Sequence, residues 1–445
     1  MIIYIPIEIP VRELPGYLLF CASAKSRGHT VVMASGISLF LLLRCKALLK
    51  GCYLIKNVNI PDRSKKVYSR FIHQGFDLYC QEQESSVLFG NFKSHLDVLN
   101  IRSDQVMPFK GVFCWGQRDF KEYKKFFHEQ EHIFHDVGSL RADIWSTKYI
   151  QLRASKRSEG QKPYLLFVSN FGYVMGKRHW AEESLVSRSL EHFETLSQEQ
   201  TFINAIAQES KICSEMINAV KHLSQKYDQY DILIRPHPRD DIDKWKHIFC
   251  NNKNVFVTGN DDSISHWIQN ACAVIQNGCT SALEATLQKV PVISFGSERI
   301  YDDLSIPNKL GMRAKSLLEL EQVLENILIP QNYIQSQDKS DALLEPIVSR
   351  NGDSSSKILK IMEENSPSLM HQEITFGDML KIKAILATKR FFDSLRRVIG
   401  VKDLDVDTFD FRDKILEQDL RIICSVLDLK EPEVTRLNKS FLLIR

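Results

Sequence analysis

Apolar residues along this chain come in short, nearly unbroken runs separated by stretches with helical spacing. Ile2–Ile9 (IIYIPIEI) predicts a buried strand, Pro15–Gly28 (PGYLLFCASAKSRG) a helix closed by glycine, and His29–Ser35 (HTVVMAS) a second strand. Strand, helix, glycine stop and strand make one βαβ unit. The same grammar recurs around Val87–Asn91, Gly111–Gly116 and His132–Gly138, with helical stretches such as Gln117–Gln130 between them. A first parallel-sheet domain is therefore expected over residues 1–155.

Leu152–Pro163 (LRASKRSEGQKP) is polar and punctuated by Gly and Pro, which marks a boundary. Beyond it a second series of strands is predicted at Tyr164–Asn170, Tyr230–Pro236, Asn254–Asn260, Ala273–Gly278 and Val290–Gly296. A long helix from about Gln198 to Tyr227 falls within the series. These elements define a second domain over residues 163–330. Leu328–Ser356 is loop-rich and the remainder reads as helical, so residues 331–445 are expected to form a loop and helical C-terminal extension. The predicted fold class is α/β: two Rossmann-like domains in tandem, facing a cleft.

Composition sharpens this picture. At 445 residues, 44% hydrophobic and 25% charged, the chain can bury more than one core. A net charge of +3 is too balanced for a dedicated nucleic-acid binder, and no nucleic-acid partner is expected. The ten cysteines include no C-x-x-C pair and read as reduced thiols. The N-terminus carries Glu8 and Glu13 and lacks the basic flank of a signal peptide. The longest apolar run, Gly36–Leu43, is far shorter than the ~20 residues of a membrane span, so a cytoplasmic protein is expected.

Candidate chemistry concentrates where strands end. The strand at Tyr230–Pro236 stops in Arg235-Pro236-His237-Pro238. Two prolines stiffen that loop, so Arg235 and His237 could be aimed at a phosphate; a plain strand-exit turn is the alternative. A second strand runs into Asn277, Gly278, Thr280 and Ser281, where the N–H groups of a helix start could bind an anion and Glu284 could accept from ribose hydroxyls. Ser281-x-x-Glu284 is equally a capping box. At the first strand's exit, Glu8 and Glu13 are candidates for a catalytic base or nucleophile, with the cation of Arg12 beside them to attract a carboxylate. Their alternative is an exposed strand end and a helix N-terminal charge. Asn170 is a candidate hydrogen-bond donor to a sugar. Residues 381–400 combine apolar residues at helical spacing with Lys381, Lys383, Lys389, Arg390, Arg396 and Arg397, a helix that could lie on an anionic membrane or pack on the protein with a solvated basic face.

The strand followed by RPHP, then about forty residues on NGCTSALEA and VPVISFG, resembles the donor half of the bacterial GT-B glycosyltransferases that build capsular and O-antigen polysaccharides. Tyr4–Val32, Ser169–Gly172 (SNFG) and Val137–Asp143 (VGSLRAD) add to the resemblance, which covers roughly Ile2 to Leu328. Members of these families and the related Kdo transferases use CMP-activated ulosonic acids such as Kdo or pseudaminic acid. The resemblance implies that Arg235, His237, Thr280 and Ser281 contact the CMP phosphate and that Glu284 holds the ribose. It implies transfer to an oligosaccharide or lipid-linked glycan, with retention by analogy. A monophosphate can be neutralised by one Arg, one His and a helix start, so neither metal nor cofactor is expected, and no D-x-D pair stands beside these elements. Asp405–Asp407 (DVD) lies in the tail and reads as a helix entry or loop. The alternatives are a CDP-glycerol-type or UDP-sugar enzyme of the same fold, or a non-catalytic capsule-assembly scaffold.

Overall fold

The computed structural model describes the chain except residues 60–61, 84–86, 88–91, 99–100, 154–161, 178–195, 260–262, 298–304, 329–333, 350–351, 399–412 and 439–440. Most of the boundary stretch expected at 152–163, most of the strand expected at Val87–Asn91 and the Asp405–Asp407 sequence therefore lie outside the described residues. Two compact units result. The first comprises Met1–Ser85, Leu96–Leu152 and Pro346–Arg445; the second comprises Ser86–His95 and Arg153–Glu345.

The first unit is built on an eight-stranded sheet. Its strands are β1 (Ile2–Ile7), β2 (Thr30–Ser35), β3 (Cys52–Ile55), β4 (Asp77–Gln81), β5 (Phe109–Cys114), β6 (Phe134–Asp136), β13 (Val434–Asn438) and β14 (Phe441–Ile444). They lie in the order β13-β14-β2-β1-β3-β4-β5-β6, with β1 to β6 parallel. This is the flavodoxin-like order, and it reverses direction between β1 and β3. Helix α1 (Pro10–Ser26) begins earlier than the expected Pro15. Pro10 occupies the first helical turn, where its missing N–H costs nothing, and Glu13 receives the N–H groups of Glu8 and Ile9. Gly16 allows α1 to close on the turn Leu140–Asp143, because a Cβ there would stand 2.9 Å from the Leu140 carbonyl oxygen. A helix α2 (Gly36–Arg44) takes up the longest apolar run, with the Ser35 hydroxyl capping it from Ser38 N–H.

The C-terminal region corrects the expectation for residues 331–445. Ile334–Leu344 is helical and belongs to the second unit, whereas everything from Pro346 onward belongs to the first. Nor is the tail all helical: β14 pairs antiparallel with β2 and β13 with β14. All four residues of Phe441–Ile444 are buried, and each such side chain contributes about 1.5–3 kcal/mol on leaving water. This burial closes the β2 edge of the sheet.

The second unit holds β7 (Tyr164–Val168), β8 (Asp231–Arg235), β9 (Val255–Val257), β10 (Ala273–Gln276), β11 (Val292–Phe295) and β12 (Met312–Ala314). All are parallel, in the order β12-β11-β10-β7-β8-β9. Numbered from the first strand of the unit, this is the Rossmann order, with its switch point between β7 and β10. Strands β7, β8, β10 and β11 are buried on both faces, which is why they read as unbroken apolar runs. Helix α3 (Leu196–Lys226) supplies Ile212, Met216, Val220 and Leu223 to the core, packed with Leu165, Phe167, Ile234 and Ile275.

Among the described residues no helix is long and apolar enough to cross a membrane. All ten cysteines are free thiols.

Candidate nucleotide site and the paired carboxylates

Ligands of open α/β sheets bind beyond the carboxyl ends of strands at a switch point. In the second unit that edge is formed by the exits of β10, β7 and β8, side by side. Ser169 and Asn170, which follow β7, tie the two flanking loops together. The Ser169 N–H donates to the Arg235 carbonyl at 3.0 Å, and its hydroxyl donates to Asp240 Oδ2. Asn170 Nδ2 donates the other way, to the carbonyls of Asn277 (3.5 Å) and Gly278 (3.3 Å). One dipeptide therefore joins the Arg235–His237 loop to the Asn277–Ser281 turn. Asn170, the candidate hydrogen-bond donor to a sugar, thus also stitches the switch point together.

The loop after β8 is fixed by more than its two prolines. Asp240 N–H donates to the His237 carbonyl at 2.8 Å, and Arg239 N–H donates to His237 Nδ1 at 3.2 Å. With Nδ1 accepting, Nε2 carries the ring proton of the neutral side chain. Arg235 is buried at the strand end, whereas His237 is half-buried. Asp240 is 4% exposed and also accepts from Trp245 Nε1 at 2.9 Å. Burial raises its carboxyl above the ordinary aspartate range, and the bonds from Ser169 and Trp245 oppose that rise. Asp241 N–H donates to the Met175 carbonyl at 2.7 Å, and the Arg239 guanidinium sits 5.1 Å from the centre of the Tyr173 ring.

The turn after β10 departs from expectation in its backbone. Gly278 takes a left-handed conformation (φ +68°) that favours glycine. Its N–H donates to Asn308 Oδ1 at 2.7 Å, and Cys279 N–H donates to Gln276 Oε1 at 2.8 Å. The N–H groups of Ala282 and Leu283 are taken by the carbonyls of Cys279 and Thr280. These four donors are committed; of the helix start expected at Asn277–Ser281 they include the Gly278 N–H but not those of Thr280 and Ser281. The turn also offers hydroxyls. Ser281 is 4% exposed, and its Oγ has no hydrogen-bond partner among the described residues. A buried hydroxyl in that state calls for a ligand or a water.

Nor does the capping box form. Thr280 is the N-cap residue of α4 (Ser281–Leu287) and makes no side-chain cap, so Ser281 is already helical. Glu284 is 2% exposed and accepts from the Ser265 hydroxyl and from Gln288 Nε2 at 3.2 Å. Asn277 is fully buried, and its Nδ2 donates to the Phe295 carbonyl at 2.7 Å, a bond that joins β10 to β11.

The carboxylates of the first unit also stand at a switch point, between β1 and β3. Lys56, just past β3, reaches Glu8 Oε2 at 2.5 Å and Glu13 Oε1 at 3.1 Å. Glu8 is exposed. Glu13 is 5% exposed and accepts from the N–H groups of Glu8 at 3.0 Å and Ile9 at 3.3 Å, the geometry of a helix N-terminal carboxylate. Arg12 is half-buried on the same turn. A further buried carboxyl, Glu82 at the exit of β4, accepts from Val58 N–H at 3.1 Å, and burial pushes it up to about 7.

Sequence reasoning missed Asp240, Gln276, Asn308, Lys56 and Glu82. Gln276 had a signal, as a polar residue closing an apolar strand; Asn308 had none, since it comes from thirty residues away along the chain.

No family model matches the chain, and no curated protein does. Solved structures do. A protein assigned as a UDP-N-acetylglucosamine 2-epimerase from Listeria monocytogenes superposes with a TM-score of 0.53 at 11% identity, over 84% of this chain and 97% of that one. MnaA of S. aureus, solved with UDP, gives 0.51 at 10% identity, over 84% and 98%. The wall teichoic acid polymerase TagF gives 0.45 at 13% identity, over 83% and 90%. At such identities the likeness shows the fold alone: the α/β class of two Rossmann-like units, as in GT-B proteins.

Proposed function

We propose that the chain is a nucleotide-sugar-dependent glycosyltransferase, and that its donor is a CMP-activated ulosonic acid, pseudaminic acid or Kdo, transferred to a capsular or O-antigen glycan with retention. The observation that carries the reading is the Ser169–Asn170 stitch, which brings the Arg235–His237 loop and the Thr280–Ser281 hydroxyls to one switch point. Arg235, His237 Nε2 and the Ser281 hydroxyl together supply one cation and neutral donors, enough for a monophosphate leaving group without a metal ion. Their rigidity matters, because donors that need not reorganise stabilise a departing anion better. Thr280 adds a second hydroxyl, while Glu284, 2% exposed and accepting from Ser265 and Gln288, braces the helix start from inside rather than meeting a ribose. In the first unit Glu8 is the favoured base or nucleophile, since its carboxylate is exposed, while Glu13 shapes the turn that presents it and Arg12 draws the carboxylate of the donor.

A second reading keeps the site and changes the nucleotide: MnaA, solved with UDP, shares the fold. Calorimetric titration with CMP, CDP and UDP, without added metal, separates the two. CMP is expected to bind best to the wild type and at least tenfold more weakly to His237→Ala. A preference for UDP or CDP would move the chain to the diphosphate-donor enzymes, and binding of none of the three would favour a scaffold.

A further inference from the structure

Helix α6 (Phe376–Val398), which follows α5 (Ser354–Asn365) in the first unit, has two apolar faces where a surface helix needs one. One face is spent on the protein: Ile382 and Leu386 are buried. The other is exposed. Phe376, Leu380, Ala384, Ala387 and Phe391 recur every three or four residues and share one side of the helix, and all five are exposed. Phe376 is 71% exposed, Leu380 52% and Phe391 65%. The flanks of this stripe are basic. Lys383 and Arg390 lie along one edge and Lys381 along the other, all exposed. Lys381 Nζ donates to the Lys46 carbonyl at 2.8 Å, which places the exposed Lys46 and Arg44 of the α2 C-terminal end beside the helix. The one acid of the helix among its described side chains, Asp378, is half-buried and accepts from the N–H and hydroxyl of Thr375.

We infer that this face of α6 docks on an anionic lipid surface, with Phe376, Leu380 and Phe391 entering the acyl boundary and the lysines and arginines meeting headgroup charge. Charge complementarity selects the occupant. A second copy seated on the same face through a two-fold axis would set this basic cluster against itself, whereas a bilayer carrying acidic lipid neutralises it and demands no shape match. The inference stands apart from the donor site, and among the described side chains the membrane-facing stretch runs over residues 376–391.

The test is flotation of the full chain with phosphatidylcholine vesicles, with and without phosphatidylserine. The expected result is flotation with the acidic vesicles alone. It should fall at least tenfold in the double variant Phe376→Ser, Phe391→Ser, and likewise in Lys383→Gln, Arg390→Gln. All these side chains are exposed, so thermal melting and CMP titration should match the wild type, which separates failure here from failure at the donor site. Absence of flotation with acidic vesicles would overturn the inference. So would flotation of both double variants equal to that of the wild type, or a lipid-free dimer that Phe376→Ser, Phe391→Ser dissolves.

Discussion

Replacing Asp240 by alanine tests whether the His237 loop is held by a buried carboxylate. The side chain is 4% exposed and accepts from Trp245 Nε1 and from the Ser169 hydroxyl, both themselves buried. Asp240→Ala leaves those two donors without an acceptor, at roughly 1–3 kcal/mol each. Some of that is offset, because the carboxylate no longer has to be desolvated, and the net loss is expected at about 2–4 kcal/mol. Both donors converge on Oδ2, so Asp240→Asn keeps a carbonyl oxygen for both, puts a buried NH2 in place of Oδ1 and should cost about 1 kcal/mol. The pH dependence supplies a second readout. Burial raises the carboxyl in the folded state above its unfolded value, so the native state binds more protons between the two values and stability falls as pH rises through that window. Asp240→Asn removes this fall. Urea melts across pH, paired with CMP titration, report both effects, and nucleotide affinity should fall with stability in the order wild type, Asn, Ala. If Asp240→Ala melts like the wild type, or Asp240→Asn keeps the same pH slope, the carboxylate does not hold the loop.

Two further predictions concern the first unit. Glu82 is raised from 4.5 to about 7, so its contribution to stability should fall as pH rises from about 4.5 to about 7, by on the order of 3 kcal/mol in all; Glu82→Gln should abolish that slope, measured by urea melts across pH. Glu8 and Glu13 should separate cleanly. Glu8→Gln breaks only an exposed pair, worth under about 1 kcal/mol, yet should slow donor turnover at least a hundredfold, whereas Glu13→Gln should lower stability by about 1–2 kcal/mol through the turn it holds. A slow Glu13→Gln with unchanged melting, beside a fully active Glu8→Gln, would exchange their roles.

The parallel strands buried on both faces were legible in the sequence, since burial on two sides leaves a continuous apolar run: β1, β2, β7, β8, β10 and β11 all stand where the runs are. Missed strands have physical reasons. β3 has only four residues, and the half-buried β13 mixes Thr, Arg and Asn into its pattern. β14 is defined by pairing with β2, some four hundred residues earlier, which no local window contains. The loop at His237 and the turn at Gly278 were visible because proline and glycine act locally. Their fastening was not, because Ser169 and Asn308 reach them from other segments of the chain, and Asp240, three residues past His237, is itself held by Ser169.

The two switch points differ in what they leave unsatisfied, and that difference argues for where the nucleotide goes. Between β1 and β3 two carboxylates share one ammonium, since Lys56 stands within 3.1 Å of a carboxylate oxygen of both Glu8 and Glu13. An anion arriving there would compete with carboxylates for one lysine. Between β7 and β10 the carboxylates of Asp240 and Glu284 are turned to internal donors, Ser169 and Trp245 for one and Ser265 and Gln288 for the other. The Ser281 hydroxyl there has no partner among the described residues. A polar group buried without a partner forfeits about 1–3 kcal/mol, which an arriving phosphate oxygen would recover. Ser281→Ala should therefore weaken nucleotide binding while leaving the apo protein as stable as before or slightly more so; equal affinity in the same CMP titration would show that this hydroxyl does not meet the phosphate.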